Sequence, residues 1–260
     1  MVFYFTATGN SLYVAKKFDE NPVSIPQVIN NDNLNFEDDT IGIVCPVYCN
    51  VPPRFVVDFM KKATFKTDYF YMILTYGNNH SGAAEYTEQI AKECGIKIDY
   101  IRTIMMVDNY LPVFDMSEQI ATDKKVDEQI ATALADVAAR KQEIPVATDE
   151  ERNHHMEMIK INENMPNFNS GEQITLTDTC IGCGVCAKVC PVGNFYIENG
   201  KAVRIKNTCE FCLACAQNCP QKAITLNIMD KNPNSRYRNE NISLQEIIAA
   251  NNQNKSIRGY

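Results

Sequence analysis

The sequence predicts an α/β fold, a doubly wound parallel sheet, followed by a smaller α+β module built on cysteine. Three observations predict it. Short apolar runs alternate with helix-length segments through residues 1–143, and eight of the eleven cysteines fall at regular spacing between Cys180 and Cys219. Between these regions, residues 144–172 lose both patterns. A chain of 260 residues is long enough for one good-sized core and a second, smaller one.

Val2–Phe5 is an apolar run bounded by Thr and Gly, and Ser11–Phe18 then reads as a helix. Within residues 22–35 only Val23-Ser24-Ile25 hints at a second strand. Ile41–Cys45 is a buried-strand candidate followed by a helix near Pro53–Lys62. Tyr69–Thr75 is the next, followed by a helix over Ala83–Cys94, and Ile98–Val107 supplies another strand. A single last helix over Ser117–Glu143 brings Ile120, Ile130, Leu134 and Val137 close to one face. Strands separated by helices of this length imply βαβ units and a parallel sheet covered on both faces.

Residues 144–172 read as a connector, broken by Pro145, the charged run Asp149–Arg152, Pro166 and Gly171, with a short helix near His154–Asn162. His154 and His155 read as surface residues. The cysteine domain occupies 173–229, and 230–260 is a C-terminal extension, polar and turn-rich as far as Asn241. Ser243 and Glu246 then form a capping box that opens a helix over Leu244–Ala250. Leu244, Ile247 and Ile248 share one face of it.

Composition is that of a soluble globular protein, 45% hydrophobic and 22% charged. No apolar run approaches the roughly 20 residues that cross a bilayer, so no membrane span is predicted. The N-terminus lacks the basic and long apolar stretches of a signal peptide, which predicts cytoplasmic residence. Residues 1–170 hold 15 Lys+Arg against 25 Asp+Glu, and residues 171–260 hold 10 against 7. That balance argues against nucleic-acid binding through the larger part. It suits docking of an acidic face to a basic patch on a redox partner protein, or equally a solvated surface that aids solubility. In a reducing compartment, eight regularly spaced cysteines point to metal rather than disulfides.

The spacing is Cys180-x2-Cys183-x2-Cys186-x3-Cys190-Pro191, repeated 29 residues later as Cys209-x2-Cys212-x2-Cys215-x3-Cys219-Pro220. A [4Fe–4S] cube needs four thiolates converging from several directions. Three cysteines two residues apart wrap three irons, and the fourth of each run ligates the other cluster. The expected sets are Cys180, Cys183, Cys186 and Cys219 for one cluster, and Cys209, Cys212, Cys215 and Cys190 for the other. Gly182 and Gly184 suit a backbone that bends hard, and Pro191 and Pro220 end the runs. The competing assignment is a pair of zinc sites, but zinc knuckles stand singly across a spacer, whereas here each is doubled and closed by x3-Cys-Pro. Gly182-Cys183-Gly184-Val185-Cys186-Ala187 also fits the dinucleotide pattern GxGxxA. It lacks the strand and long helix that pattern requires. Residues 174–229 resemble the bacterial two-cluster ferredoxins, which implies one-electron transfer.

A second site precedes it. Phe5-Thr6-Ala7-Thr8-Gly9-Asn10-Ser11 follows a strand and opens a helix, where free amides and the helix dipole hold phosphate. Thr6, Thr8 and Ser11 add hydroxyl donors, and no lysine of a nucleotide-hydrolysing P-loop is present. A monoester phosphate fits better than a triphosphate; the alternative is a plain strand–turn–helix corner with hydroxyl caps.

Thr6-Ala7-Thr8-Gly9-Asn10-Ser11 resembles the FMN-phosphate loop of flavodoxins, [Ser/Thr]-x-Thr-Gly-Asn-[Ser/Thr]. The resemblance implies a flavin ring between two later strand-end loops, here Pro46-Val47-Tyr48-Cys49-Asn50 and Tyr76-Gly77-Asn78-Asn79-His80-Ser81-Gly82. Tyr48 and Tyr76 are the candidates to stack on it, and Asp108-Asn109-Tyr110 to approach its edge. His80 would stabilise the anionic reduced ring. The flavodoxin indole is absent, because the chain has no tryptophan. Cys45, Cys49 and Cys94 read as small core residues, with redox activity the alternative for the first two.

The whole chain is similar to fused flavodoxin–ferredoxin proteins. That implies an electron carrier with FMN and two [4Fe–4S] clusters. The alternatives are an FMN-dependent reductase of a small substrate fed through the clusters, or a flavin-free redox sensor or assembly protein.

Overall fold

The structure, a computed structural model, describes residues 1–163, 170–205 and 208–253. Pro166 and positions 254–260 of the extension lie outside these. Among the described residues no helix is long and apolar enough to cross a membrane. The chain forms two compact units. The first comprises Met1–Phe5, Asn10–Val107 and Asp123–Asn164; the second comprises Thr6–Gly9, Asp108–Thr122 and Met165–Tyr260.

The elements run in chain order as β1 (Val2–Tyr4), α1 (Asn10–Phe18), β2 (Val23–Ser24), α2 (Ile25–Val28), β3 (Asn35–Glu37), β4 (Thr40–Pro46) and α3 (Arg54–Lys62). There follow β5 (Thr64–Lys66), β6 (Tyr69–Tyr76), α4 (Ala83–Glu93), β7 (Tyr100–Met105), α5 (Met116–Ala121), α6 (Val126–Ala138) and α7 (Asp149–Glu163). The cysteine region and its extension hold β8 (Ile174–Leu176), α8 (Val185–Val189), β9 (Phe195–Glu198), β10 (Lys201–Arg204), α9 (Ala214–Gln217), β11 (Ile224–Leu226) and α10 (Leu244–Asn251).

The first unit is built on a five-stranded parallel sheet of order β2-β1-β4-β6-β7. Its central strands β4 and β6 are almost wholly buried, as continuous apolar runs in a parallel sheet should be. Alternate residues face opposite sides. Phe3, Ile41, Ile43, Phe70, Met72 and Leu74 share a core with Val56, Phe59 and Met60 of α3 and with Ala83, Ala84 and Ala91 of α4. On the other side Tyr71 packs on Phe18 of α1, their ring centres 5.6 Å apart. The second strand, faint in sequence, is a two-residue edge pairing Phe3 with Val23 and Tyr4 with Ser24.

Three features of residues 1–163 depart from the sequence reading. A short parallel pair, β3 and β5, sets Phe36 opposite Phe65 and lays both on Phe3 and Phe59. The single helix expected over Ser117–Glu143 is two helices. Asp115 caps α5 through the Ser117 N–H at 2.9 Å, and the Asp123 side chain accepts from the Lys125 N–H at 2.8 Å across the break. Lys125 then takes a left-handed φ of 52° before α6 begins. The short helix expected near His154–Asn162 is the fifteen-residue α7. Thr148 and Glu151 open it reciprocally: the Glu151 N–H donates to Thr148 Oγ1 at 3.2 Å and the Thr148 N–H to Glu151 Oε2 at 2.7 Å.

His155 corrects the surface reading. It is only 4% exposed, with its ring 4.9 Å from that of Tyr86 and both ring nitrogens unpaired, whereas His154 is exposed. Burial holds its imidazole below the ordinary histidine value, opposed by nearby Glu85 and reinforced by His154. Arg152, one turn earlier, donates to both Glu85 carboxylate oxygens at 2.9 Å and ties α7 to α4.

In the second unit β8 pairs antiparallel with β11, Ile224 opposite Leu176, and β9 pairs with β10, Phe195 opposite Arg204. Asn199-Gly200 closes the β9–β10 hairpin with positive φ at both residues, 49° and 73°. The capping box at Ser243 and Glu246 is present, and α10 buries Ile247 and Ala250 while Leu244 and Ile248 are half-buried.

Candidate metal centre

Each cysteine run is shaped by three left-handed residues. In the first they are Gly182, Gly184 and Gly193, with φ of 67°, 75° and 61°. The second repeats them 29 residues on, at Phe211, Leu213 and Lys222, with φ of 45°, 59° and 49°. Gly184 and Leu213 stand at the N-termini of α8 and α9. The two runs therefore share one backbone path although only the first announces it with glycine. Space dictates Gly182: a Cβ there would lie 2.3 Å from the Gly200 carbonyl oxygen, on the hairpin turn.

The path aims amides at sulfur. The Asn194 N–H donates to Cys190 Sγ at 3.2 Å, and its counterpart in the second run, the Ala223 N–H, to Cys219 Sγ at 3.3 Å. The Ala202 N–H reaches Cys180 Sγ at 3.4 Å and the Phe211 N–H reaches Cys209 Sγ at 3.3 Å. Lys201 Nζ holds the Cys180 loop by donating to the Asp178 and Cys180 carbonyls, at 2.9 and 2.7 Å. The Ala202 and Gly182 amides, with a smaller contribution from Lys201, lower the Cys180 thiol below its ordinary value.

Cys180, Cys183 and Cys186 of the first run line one cavity with Cys219 of the second. Its empty space, mouth included, is about 320 Å³, and Leu176, Val185, Ile197 and Ile224 are among its apolar walls. Cys186 is buried at the back, where burial pushes its thiol up to about 12 and the sulfurs of Cys180, Cys183 and Cys219 add to the effect; Cys183 is exposed at the mouth.

Cys190, Cys209, Cys212 and Cys215 make a second neighbourhood. Burial pushes the Cys209 thiol up to about 11 and raises Cys212 and Cys215 well above the ordinary value; all three also sense Cys190. Cys215 additionally senses Cys186, on the helix packed against its own. Among the described residues no three His, Cys, Asp or Glu side chains converge as they would on one metal ion.

Residues 173–220 match the 4Fe-4S dicluster domain. The match and the clustered cysteines support 4Fe–4S cluster binding, and the dicluster domain suggests iron–sulfur electron transfer. No curated protein matches the chain. The hairpin that shapes the dicluster domain had a readable signal, the Asn199-Gly200 pair that favours tight β-turns. The left-handed Phe211 and Leu213 had none, because neither residue type advertises that conformation.

The residues singled out for phosphate run from the segment after β1 into the first turn of α1. Thr6–Gly9 belong to the second unit and Asn10 and Ser11 to the first. Thr6 Oγ1 accepts from the Gly9 N–H at 3.1 Å, and Thr8 Oγ1 accepts from Asn109 Nδ2 at 2.6 Å. Each hydroxyl serves here as acceptor, which leaves its own O–H to donate. Thr6 and Thr8 are buried, Ala7 beside them also, and Gly9 has a φ of 102°. In the first unit Ser11 Oγ meets Thr75 Oγ1 at 2.9 Å and Asn10 Nδ2 donates to the Val107 carbonyl at 3.1 Å.

From Pro46, the last residue of β4, the chain runs through Val47–Asn50 as a tight turn. Tyr48 and Val51 exchange both backbone hydrogen bonds, at 2.9 and 3.1 Å, across Cys49 and Asn50, whose φ values are 49° and 64°. Val47 is half-buried against the core, as is Tyr48. A non-glycine pair in that conformation is strained. Asn50 is buried with its Nδ2 donor unpaired. After β6, Tyr76 stands edge-on to His80 at 4.6 Å, Gly77 is half-buried, Asn78 is exposed, and Gly82 is buried under His155. Cys45 is fully buried, its thiol pushed up to about 12 by burial, in keeping with a core role; Cys49 and Cys94 are half-buried.

Proposed function

We propose that the chain is an electron carrier holding two [4Fe–4S] clusters and one FMN. The observation that carries the iron–sulfur half is the cavity shared by Cys180, Cys183 and Cys186 with Cys219 from the other repeat. A fourth ligand borrowed across the repeats is what the two-cluster arrangement requires. Cys190 with Cys209, Cys212 and Cys215 then forms the second set. Four backbone N–H···S hydrogen bonds suit thiolates that share charge with a cluster.

For the flavin half, the support comes from the chain's own donors. The Thr6 and Thr8 hydroxyls keep O–H groups for an anion, and Asn50 Nδ2 is a buried donor without an acceptor. The sheet order, with β2 on one side of β1 and β4, β6 and β7 on the other, is that of flavodoxin-like doubly wound sheets, which bind ligands at the strand ends beside the switch in direction. In this reading Thr6–Ser11 hold the phosphate, and the turns Pro46–Asn50 and Tyr76–Gly82 hold the ring. FMN exchanges two electrons where each cluster exchanges one, so a chain holding both converts between paired and single electrons. The partners are redox proteins, one docking on the acidic surface of residues 1–170.

A second reading is a flavin-free redox protein. It draws on the closure of the Thr6–Gly9 loop, where a Cβ on Gly9 would stand 3.0 Å from Asn239 and Ile242 side-chain atoms. One anaerobic preparation separates the two. About eight iron, eight sulfide and one FMN per chain are expected. Eight iron without FMN removes the flavin half, and zinc in place of iron removes the whole proposal.

A further inference from the structure

Gln217 lies on α9 between Cys215 and Cys219, is 5% exposed, and uses both ends of its amide. Its Nε2 donates to the Asn109 carbonyl at 2.8 Å and to Met116 Sδ at 3.6 Å, and its Oε1 accepts from the Tyr237 N–H at 2.7 Å. Both main-chain partners lead to the same place. Asn109 Nδ2 donates to Thr8 Oγ1 at 2.6 Å. Two residues past Tyr237, the Asn239 N–H donates to the Thr8 carbonyl at 2.8 Å, and farther on Asn251 Nδ2 donates to the Thr6 carbonyl at 2.8 Å. One buried side chain on a cysteine helix thus anchors both segments that hold the Thr6–Gly9 loop.

We propose that Gln217 is a positioning residue linking the Thr6–Gly9 loop to α9, so that FMN and the cluster held by Cys190, Cys209, Cys212 and Cys215 strengthen each other's binding. The proposal rests on the flavin reading given above. Its physics is pre-organisation. Helix α9 has only four residues, too few to hold a shape by its own hydrogen bonds, so ligation at Cys215 fixes it. A fixed α9 fixes Gln217, and through it Asn109 and Tyr237. The loop then meets the phosphate already ordered, and the ordering cost is removed from binding. Linkage makes the effect reciprocal: FMN raises the affinity for the cluster by the same factor. The link ends at hydrogen bonds to Thr6 and Thr8, and no electron need travel along it.

The test uses the full chain, prepared anaerobically, with FMN affinity read from flavin fluorescence. Q217L removes both anchors, Q217E keeps the acceptor for the Tyr237 N–H and loses the donor to Asn109, and C215S removes the cluster. In Q217L, at unchanged iron content, the FMN dissociation constant is expected to rise about tenfold, within the usual span for linked sites. Q217E should fall between Q217L and wild type. C215S should weaken FMN comparably, and Q217L/C215S no further than either single variant. Wild-type affinity in Q217L, or losses that multiply in the double variant, would overturn the linkage. Hydrogen exchange at the Ala7–Gly9 amides, measured without added flavin, separates the two ideas. Faster exchange in Q217L supports the positioning role even if no FMN binds, and unchanged exchange overturns it whatever the flavin does. A wild-type chain that takes up no FMN overturns the flavin reading and the linkage to FMN together.

Discussion

Gly182 and Gly184 stand two residues apart in nearly the same left-handed conformation, yet they tolerate a side chain very differently. At Gly184 an added methyl would meet only Ile197, at 3.7 Å, and the substitution costs the conformational preference alone, about 1–2 kcal/mol. At Gly182 it would run into the Gly200 backbone, which cannot swing aside as a side chain can. G184A should therefore keep its full iron content with a lower melting temperature, whereas G182A should assemble only about half the iron per chain. Equal iron in the two variants would contradict this account of the loop. Leu213, which holds the equivalent of Gly184 in the second run, already shows that the conformation accepts a side chain. His80 offers a second residue-level test. Its ring stands 4.6 Å from that of Tyr76, in the turn proposed for the flavin. H80A should lower the flavin midpoint potentials; unchanged potentials would free His80 of any electrostatic role.

Among the elements, α7 has an attachment that should respond to pH. Glu85 is held below the usual carboxylate range by its hydrogen bond from Arg152, and His155 below the usual imidazole value by burial. Both shifts act in the same direction. A histidine depressed in the folded state contributes stability that is whole above its unfolded value, about 6.5, and declines as pH falls below it. Glu85 follows lower down, its contribution lost as pH falls from about 4.3 through its depressed folded value. The urea midpoint of the wild type should thus drop between pH 7.5 and 5.5. That of H155F should stay level, and a parallel drop in both would remove His155 from the explanation. At the other end of the chain, S243A deletes the cap of α10 and should destabilise by about 1 kcal/mol.

How far these elements were legible follows from how local their causes are. The buried strands β4 and β6 declare themselves as unbroken apolar runs, and the α10 cap as a Ser and a Glu three residues apart. The α7 cap at Thr148 and Glu151 is the same signal, masked by the charged run that follows it. The break between α5 and α6 turns on one Asp123 side chain, and the β3–β5 pair on two phenylalanines 29 positions apart that only the folded core brings together. Burial of His155 had no local cause at all, since Tyr86 and Gly82 belong to α4 and its N-cap, far away in sequence.

At the scale of the molecule, the cysteine runs were the most legible part, because their spacing marks the stretch that matches the 4Fe-4S dicluster domain. What spacing could not display was the cavity that Cys180, Cys183 and Cys186 share with Cys219. The ligand exchange proposed from it makes a sharp prediction. C219S, altered in the second run, should empty the site of Cys180, so that C180S/C219S loses no more iron than either single change. About four iron should remain in all three variants. A double variant with none would mean that the two cysteines serve different clusters.

The contrast between exposed Cys183 on one side and buried Cys190 and Cys215 on the other carries a consequence for handling and for wear. Under the proposed ligation, air and chelators reach the iron beside Cys183 long before they reach the inner set. Ageing should therefore proceed unevenly, with one half of the absorbance bleaching early and the remainder outlasting it.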